Sequence, residues 1–201
     1  MGTFELLVGN NGQNGLVRLF GYQDTLSLDA RGRFRIPDDL AGAIHHELGR
    51  VQQASGAEAP PVAFRRLSFY FAPGTRSRIF LYPTPNIRLA VDDFENPPNG
   101  HSPELIRRAR DHFYAHLRFV EADKQNRLVI PEALRKHAGM DEVVQHIALI
   151  AQNYWLALAR TELVEQWAAE NQEAFEQVAP DLLDPIRRTP PAPSGGEPET
   201  D

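Results

Sequence analysis

Two short stretches set arginines beside an aspartate at spacings suited to gripping an anion. Asp29, Arg31, Arg33 and Arg35 fall within TLSLDARGRFRIP (Thr25–Pro37), and Asp123, Lys124 and Arg127 within FVEADKQNRLVIP (Phe119–Pro131). Guanidinium forks match both phosphate oxygens and the acceptor edges of bases, so one chemistry open to these residues is nucleic-acid contact. The same residues admit a second role. Asp29 could pair with Arg33, and Asp123 with Arg127, bracing a turn on a solvated strand face. Spacing alone leaves both roles open.

The two stretches are copies of one unit. A gapless offset of 94 residues (from Asp29 to Asp123) also aligns Arg33 with Arg127, Ile36 with Ile130, Pro37 with Pro131 and Leu40 with Leu134. A repeat near half the chain length points to duplication. Each copy reads as an apolar run, a polar turn opened by aspartate, a second alternating run, a proline and a short helix. Gly32 supplies the positive φ of a tight reversal, and Asn126 is the residue type that best replaces glycine there. In the second run Phe34 and Ile36 share one face, with Arg33 and Arg35 on the other. The pattern predicts a β-hairpin followed by a helix, twice.

DARGRFRIP and DKQNRLVIPEALRKHAGM resemble the paired D-x-x-G-R motifs of the MraZ transcriptional regulators, which have the AbrB-like swapped-hairpin fold. Phe20-Gly21-Tyr22 before the first motif and Ile79-Phe80-Leu81-Tyr82-Pro83 after it add to the likeness, which runs from about Leu19 to Val178. Asn126 stands where the family pattern has glycine. The resemblance implies an α+β protein of two tandem AbrB-like β-hairpin modules forming an internal pseudo-dimer with flanking helices. It implies a ring-forming homo-oligomer in the cytoplasm and nucleoid that binds repeated double-stranded promoter sites. The family usually represses the division and cell-wall gene cluster. Arg33 and Arg127 would face DNA, with Arg31, Arg35 and Lys124 beside them, while Asp29, Gly32, Asp123 and Asn126 shape the turns.

Charge argues the other way. The chain of 201 residues carries a net charge of −6, whereas nucleic-acid binding usually leaves a basic footprint. Part of this acidity lies in the tail, where residues 179–201 hold five acidic and two basic side chains. A small basic patch repeated around an oligomer can still engage phosphates. The rival reading is a structural or protein-binding ring without DNA affinity, favoured by the acidity, by Asn126 and by Val129 standing where the first copy has Arg35.

The remaining chain supplies positions more than chemistry. Residues 1–17, rich in glycine and asparagine, read as a flexible extension, residues 18–94 as the first module, 95–178 as a linker helix with the second module, and 179–201 as a disordered Pro-rich tail. Helices are predicted over Asp38–Gln53, from Ser102 to about Leu117 with a stripe of Leu105, Ala109, Phe113 and His116, and over Arg160–Val178. Strands are predicted over Val62–Phe71, Ser77–Tyr82, His146–Ala151 and Tyr154–Leu158. His112 and His116 have a spacing that can hold zinc, yet no third ligand is evident. With no cysteine, no nucleophile motif and no phosphate loop, the sequence predicts no enzyme, metal, cofactor or small-molecule substrate. No apolar run reaches membrane-spanning length.

Overall fold

The computed structural model describes residues 16–19, 21–54, 66–97, 100–140 and 146–183. The chain divides into two compact units, Met1–Thr161 and Glu162–Asp201. The first holds every strand among the described residues. In order it contains β1 (Gln23–Ser27), β2 (Arg33–Arg35), α1 (Asp38–Ala54), β3 (Ser68–Pro73), β4 (Ile79–Pro83), a 3-10 turn at Thr84–Asn86, α2 (Ile87–Glu95), α3 (Pro103–His116), β5 (Arg118–Glu121), β6 (Arg127–Val129), α4 (Glu132–His137), β7 (His146–Gln152) and β8 (Trp155–Arg160). The mixed α+β class agrees with the sequence pattern.

Strand pairing does not follow the expected hairpins. Six strands form one antiparallel sheet in the order β1-β7-β8-β4-β3-β5, and β2 pairs with β6 in a separate two-stranded ribbon. In neither copy do the two strands pair with each other: β1 pairs with β7 and β5 with β3, while the second strands of the two copies pair together. Three-residue strands are too short to make a stable hairpin alone. Crossing between copies lets each second strand bury its central apolar residue against its counterpart. Strands from either side of the expected boundary near residue 95 therefore share one sheet.

The ribbon has internal two-fold symmetry. Phe34 faces Leu128 at its centre, Arg33 faces Val129 and Arg35 faces Arg127. The flanking bonds repeat the symmetry, since the Ile36 N–H donates to the Asn126 carbonyl at 2.9 Å and the Ile130 N–H to the Gly32 carbonyl at 2.9 Å. Under the ribbon the equivalent pairs Phe34/Leu128, Ile36/Ile130 and Leu40/Leu134 are all buried in one core with Phe69, Phe71, Leu81 and Leu158. Each large apolar side chain so buried is worth about 1.5–3 kcal/mol against exposure, so the ribbon is anchored from beneath.

Helix α1 begins at the predicted Asp38, with Leu40 and Ile44 facing the core. Ser102 caps α3, which is expected to start there, by accepting the Leu105 N–H at 3.3 Å, with Pro103 in the first turn. The apolar stripe of α3 is corrected. Leu105 is 55% exposed and Ala109 is exposed, while Ile106, Phe113 and Leu117 turn inward with Arg110 between them. Phe113 is buried as expected, whereas Ile106 and Arg110 take the inward places expected of Leu105 and Ala109. Helix α2 was not foreseen.

At the N-terminal end Leu16 and Val17 are buried, not part of a flexible arm. Asn86 holds Val17 from both sides, accepting its N–H at 2.8 Å and donating to its carbonyl. Residues 1–15 lie outside the described residues, as do Val62–Arg65 of the predicted strand. Among the described residues the second unit is a helix, α5, which spans Thr161–Leu183 including its first residue in the unit before. It continues past the predicted end at Val178 and through Pro180, a residue that removes one donor near the helix end without stopping it. Residues 184–201 of the predicted disordered tail lie outside the described residues. No helix among the described residues is long and apolar enough to cross a membrane.

Candidate nucleic-acid interface

Both turns are built by the same aspartate chemistry. Asp29 Oδ1 accepts the N–H groups of Arg31 and Arg33, each at 2.9 Å, and Oδ2 receives the Arg33 Nε–H at 2.7 Å. Asp123 Oδ1 accepts the N–H groups of Gln125 at 2.8 Å and Arg127 at 3.0 Å, and Oδ2 receives the Arg127 Nε–H at 2.7 Å. The backbone closes identically, with the Asp29 N–H on the Arg33 carbonyl and the Asp123 N–H on the Arg127 carbonyl, both at 2.9 Å. Gly32 lies at φ +70° and Asn126 at φ +56°, the left-handed conformation predicted for both.

These bonds stabilise the ionised carboxylates. Backbone donation from Arg33 leads in lowering the Asp29 pKa, followed by the Arg33 side chain. For Asp123 the Arg127 side chain leads, ahead of its backbone N–H, and the pKa falls to about 2. The bracing role is therefore present in the structure.

It does not use up the arginines. The Arg33 guanidinium gives only its Nε–H to Asp29, leaving both terminal amino groups without a partner among the described residues. Arg35 reaches Asp38 through Nη2, 2.8 Å from each carboxylate oxygen. Phe34 and Leu128 point into the core, so Arg33, Arg35, Arg127 and Val129 form the outer face of the ribbon. Arg35 and Arg127 stand opposite each other, and their own acids, Asp38 and Asp123, offset the like-charge repulsion. The side chains of Arg31 and Lys124, in the turns, have no hydrogen-bond or ion-pair partner among the described residues. The structure thus brings together all five basic residues singled out from sequence, on one ribbon and its two turns.

No family model matches the chain. It is 25% identical over 137 residues to the transcriptional regulator MraZ of Lachnoclostridium phytofermentans, a match covering 66% of this chain and 90% of that protein. That relative is a transcriptional regulator, not an enzyme.

Other residues with a chemical claim are placed structurally. His112 and His116 stack with ring centroids 4.5 Å apart, and a His116 ring nitrogen meets the His112 carbonyl at 2.9 Å. Among the described residues no group of three or more acidic or histidine side chains is placed to hold a metal ion. Arg107 and Arg108 both pair with Glu104, and Arg107 with Asp111, within α3. Trp155 packs against Phe80 and Tyr82 with centroids 5.8 and 5.9 Å away. Sequence reading missed one residue at the site. Arg135, on α4, lies over Gly32, where a Cβ would come within 2.9 Å of its Cδ and Nε. No local spacing signals that approach, which forms only through the pairing of the two copies.

Proposed function

We propose that this protein is a DNA-binding transcriptional regulator whose reading surface is the β2–β6 ribbon. The observation that carries this reading is the ribbon itself: an antiparallel pair with internal two-fold symmetry and outward arginines, in a chain similar to a transcriptional regulator. A two-stranded ribbon is one of the elements that fits the major groove. The two copies act as AbrB-like modules of an internal pseudo-dimer. Arg33 and Arg127 meet DNA, Arg31, Arg35 and Lys124 extend the contact, and Asp29 and Asp123 hold the forks in position. Preset forks lose little freedom on binding, which favours affinity.

A ring-forming homo-oligomer sums weak interactions at repeated promoter sites, and repression of the division and cell-wall cluster follows the family resemblance. Such a protein works in the cytoplasm at the nucleoid. A second reading, a ring that binds no DNA, rests on one observation: each outward arginine of the ribbon is matched by an acid of its own.

Binding to the DNA upstream of the protein's own gene, titrated with salt, separates the two. Arg33→Ala and Arg127→Ala should both weaken binding, Arg33→Ala more because Arg31 and Arg35 flank it. Each phosphate no longer engaged in a bound copy flattens the log–log salt slope by about 0.9. Unchanged affinity in both variants, with lowered melting temperatures, leaves bracing as their whole role. Light scattering on the same samples should give an assembly larger than a dimer.

A further inference from the structure

The matched charges on the ribbon direct attention to what is left over. Arg33, Arg35 and Arg127 each face a carboxylate, so the net positive charge of this surface comes from elsewhere. Arg31 and Lys124 supply part of it. Arg135 is the third source, and its placement is unlike theirs. Its side chain crosses the backbone at Gly32, between Arg31 and Arg33, so closely that a Cβ there would come within 2.9 Å of its Cδ and Nε and force it to shift. Its Nε is buried with no hydrogen-bond partner. Arg135 as a whole is half-buried, and its terminal amino groups make no hydrogen bond or ion pair among the described residues. Glu132, the one acid of α4, bonds Lys136 at 2.7 Å and feels the Arg135 charge only as the weakest influence on it, without a direct ion pair.

We infer that Arg135 is a further DNA-contacting residue, donated by the second copy to the turn of the first. The inference rests on the DNA-binding reading above. It makes the first turn a composite, in which Arg31 and Arg135 converge on one phosphate from opposite copies. A guanidinium whose stem is already packed can present its two amino groups with little ordering cost, and Arg is suited to bidentate binding. The second turn has no counterpart. By the repeat offset Ala41 occupies the position of Arg135, and Ala41 is buried. The two ends of a pseudo-symmetric ribbon therefore grip DNA unequally, and the stronger end carries Gly32.

The test uses the full chain and two duplexes, the DNA upstream of its gene and a random sequence. Arg135→Met keeps the stem over Gly32 and removes the charge; Arg135→Lys keeps the charge. Arg135→Met should weaken binding to both duplexes and flatten the salt slope by about 0.9 per engaged copy, with melting temperature near the wild type. Arg135→Lys should retain the wild-type slope. Arg31→Ala reports independently on the same turn and should flatten the slope equally. If Arg135→Met binds with unchanged slope while Arg31→Ala does not, the inference falls and the DNA-binding reading stands. Equal weakening by Met and Lys with a lowered melting temperature assigns Arg135 to packing alone and also overturns it. A wild type that binds neither duplex at low salt removes the DNA-binding reading and the inference together.

Discussion

The turns Asp29–Arg33 and Asp123–Arg127 share a backbone and differ in almost every side chain that does not build it. Both keep the aspartate, the left-handed residue before the arginine, and the arginine that returns to the aspartate. Around that frame Ala30 becomes Lys124, Arg31 becomes Gln125, Gly32 becomes Asn126 and Arg35 becomes Val129. The difference separates two jobs. Geometry needs an acid, a positive φ and an apolar centre, and these recur. Charge is free to differ, and the first copy holds more of it.

The largest way to break the comparison is at the centre that both copies share. Phe34 and Leu128 face each other and are almost wholly buried. Phe34→Ala should cost about 3–5 kcal/mol and Leu128→Ala about 2–5 kcal/mol by urea denaturation, from reduced burial and the cavity left behind. Either substitution should speed hydrogen exchange at the amides of both turns together. Loss of protection at only the nearer turn would mean that the two ends are held independently.

A smaller effect tests the left-handed positions. A β-branched residue strains in that region, so Asn126→Val should cost about 1–2 kcal/mol, whereas Asn126→Gly stays within about 1 kcal/mol of the wild type. Gly32 adds a steric condition that Asn126 lacks. Gly32→Asn tolerates the φ but places its Cβ against Arg135, at a cost of about 1 kcal/mol because a flexible side chain can yield. Combining it with Arg135→Ala should recover that cost, a coupling of at least about 0.5 kcal/mol in a double-mutant cycle. Strict additivity would show that the two residues do not press on one another.

These contrasts also mark what was legible in the sequence. The repeat offset was, and with it the turns, because aspartate bonding and a positive φ are local chemistry that spacing reveals. The shared face of Phe34 and Ile36 followed from alternation, and the start of α3 from Ser102. Partner choice was not legible. Alternation says which face a strand buries and says nothing about which strand lies alongside, so three-residue β2 could be assigned to its neighbour β1 with equal local sense. Arg135 was hidden for the same reason, since its approach to Gly32 exists only once β2 and β6 are paired. The bracing and DNA-contact roles of Arg33 and Arg127 stayed tied in the sequence, and the geometry places the brace while leaving donors over.

The finest distinction between the turns lies in how each aspartate is held, and acid exposes it. Asp123 is lowered from 3.8 to about 2, led by the Arg127 side chain, and Asp29 is lowered chiefly by the Arg33 backbone N–H. A carboxylate whose folded pKa lies below its unfolded value stabilises the fold fully above the unfolded value. That contribution disappears as pH falls through the folded one. For Asp123 the window runs from 3.8 down to about 2. The urea midpoint should therefore decline across this range, and Asp123→Asn should flatten the decline by removing the titrating group. Asp29→Asn should flatten it less. Added salt sharpens the contrast, because it screens a half-exposed side-chain pair more than it weakens backbone hydrogen bonds. Raising the salt should shrink the difference between wild type and Asp123→Asn while leaving that for Asp29→Asn nearly unchanged. Equal salt sensitivity in the two variants would show that both aspartates are held mainly by their arginine side chains, and that the turns are electrostatically alike.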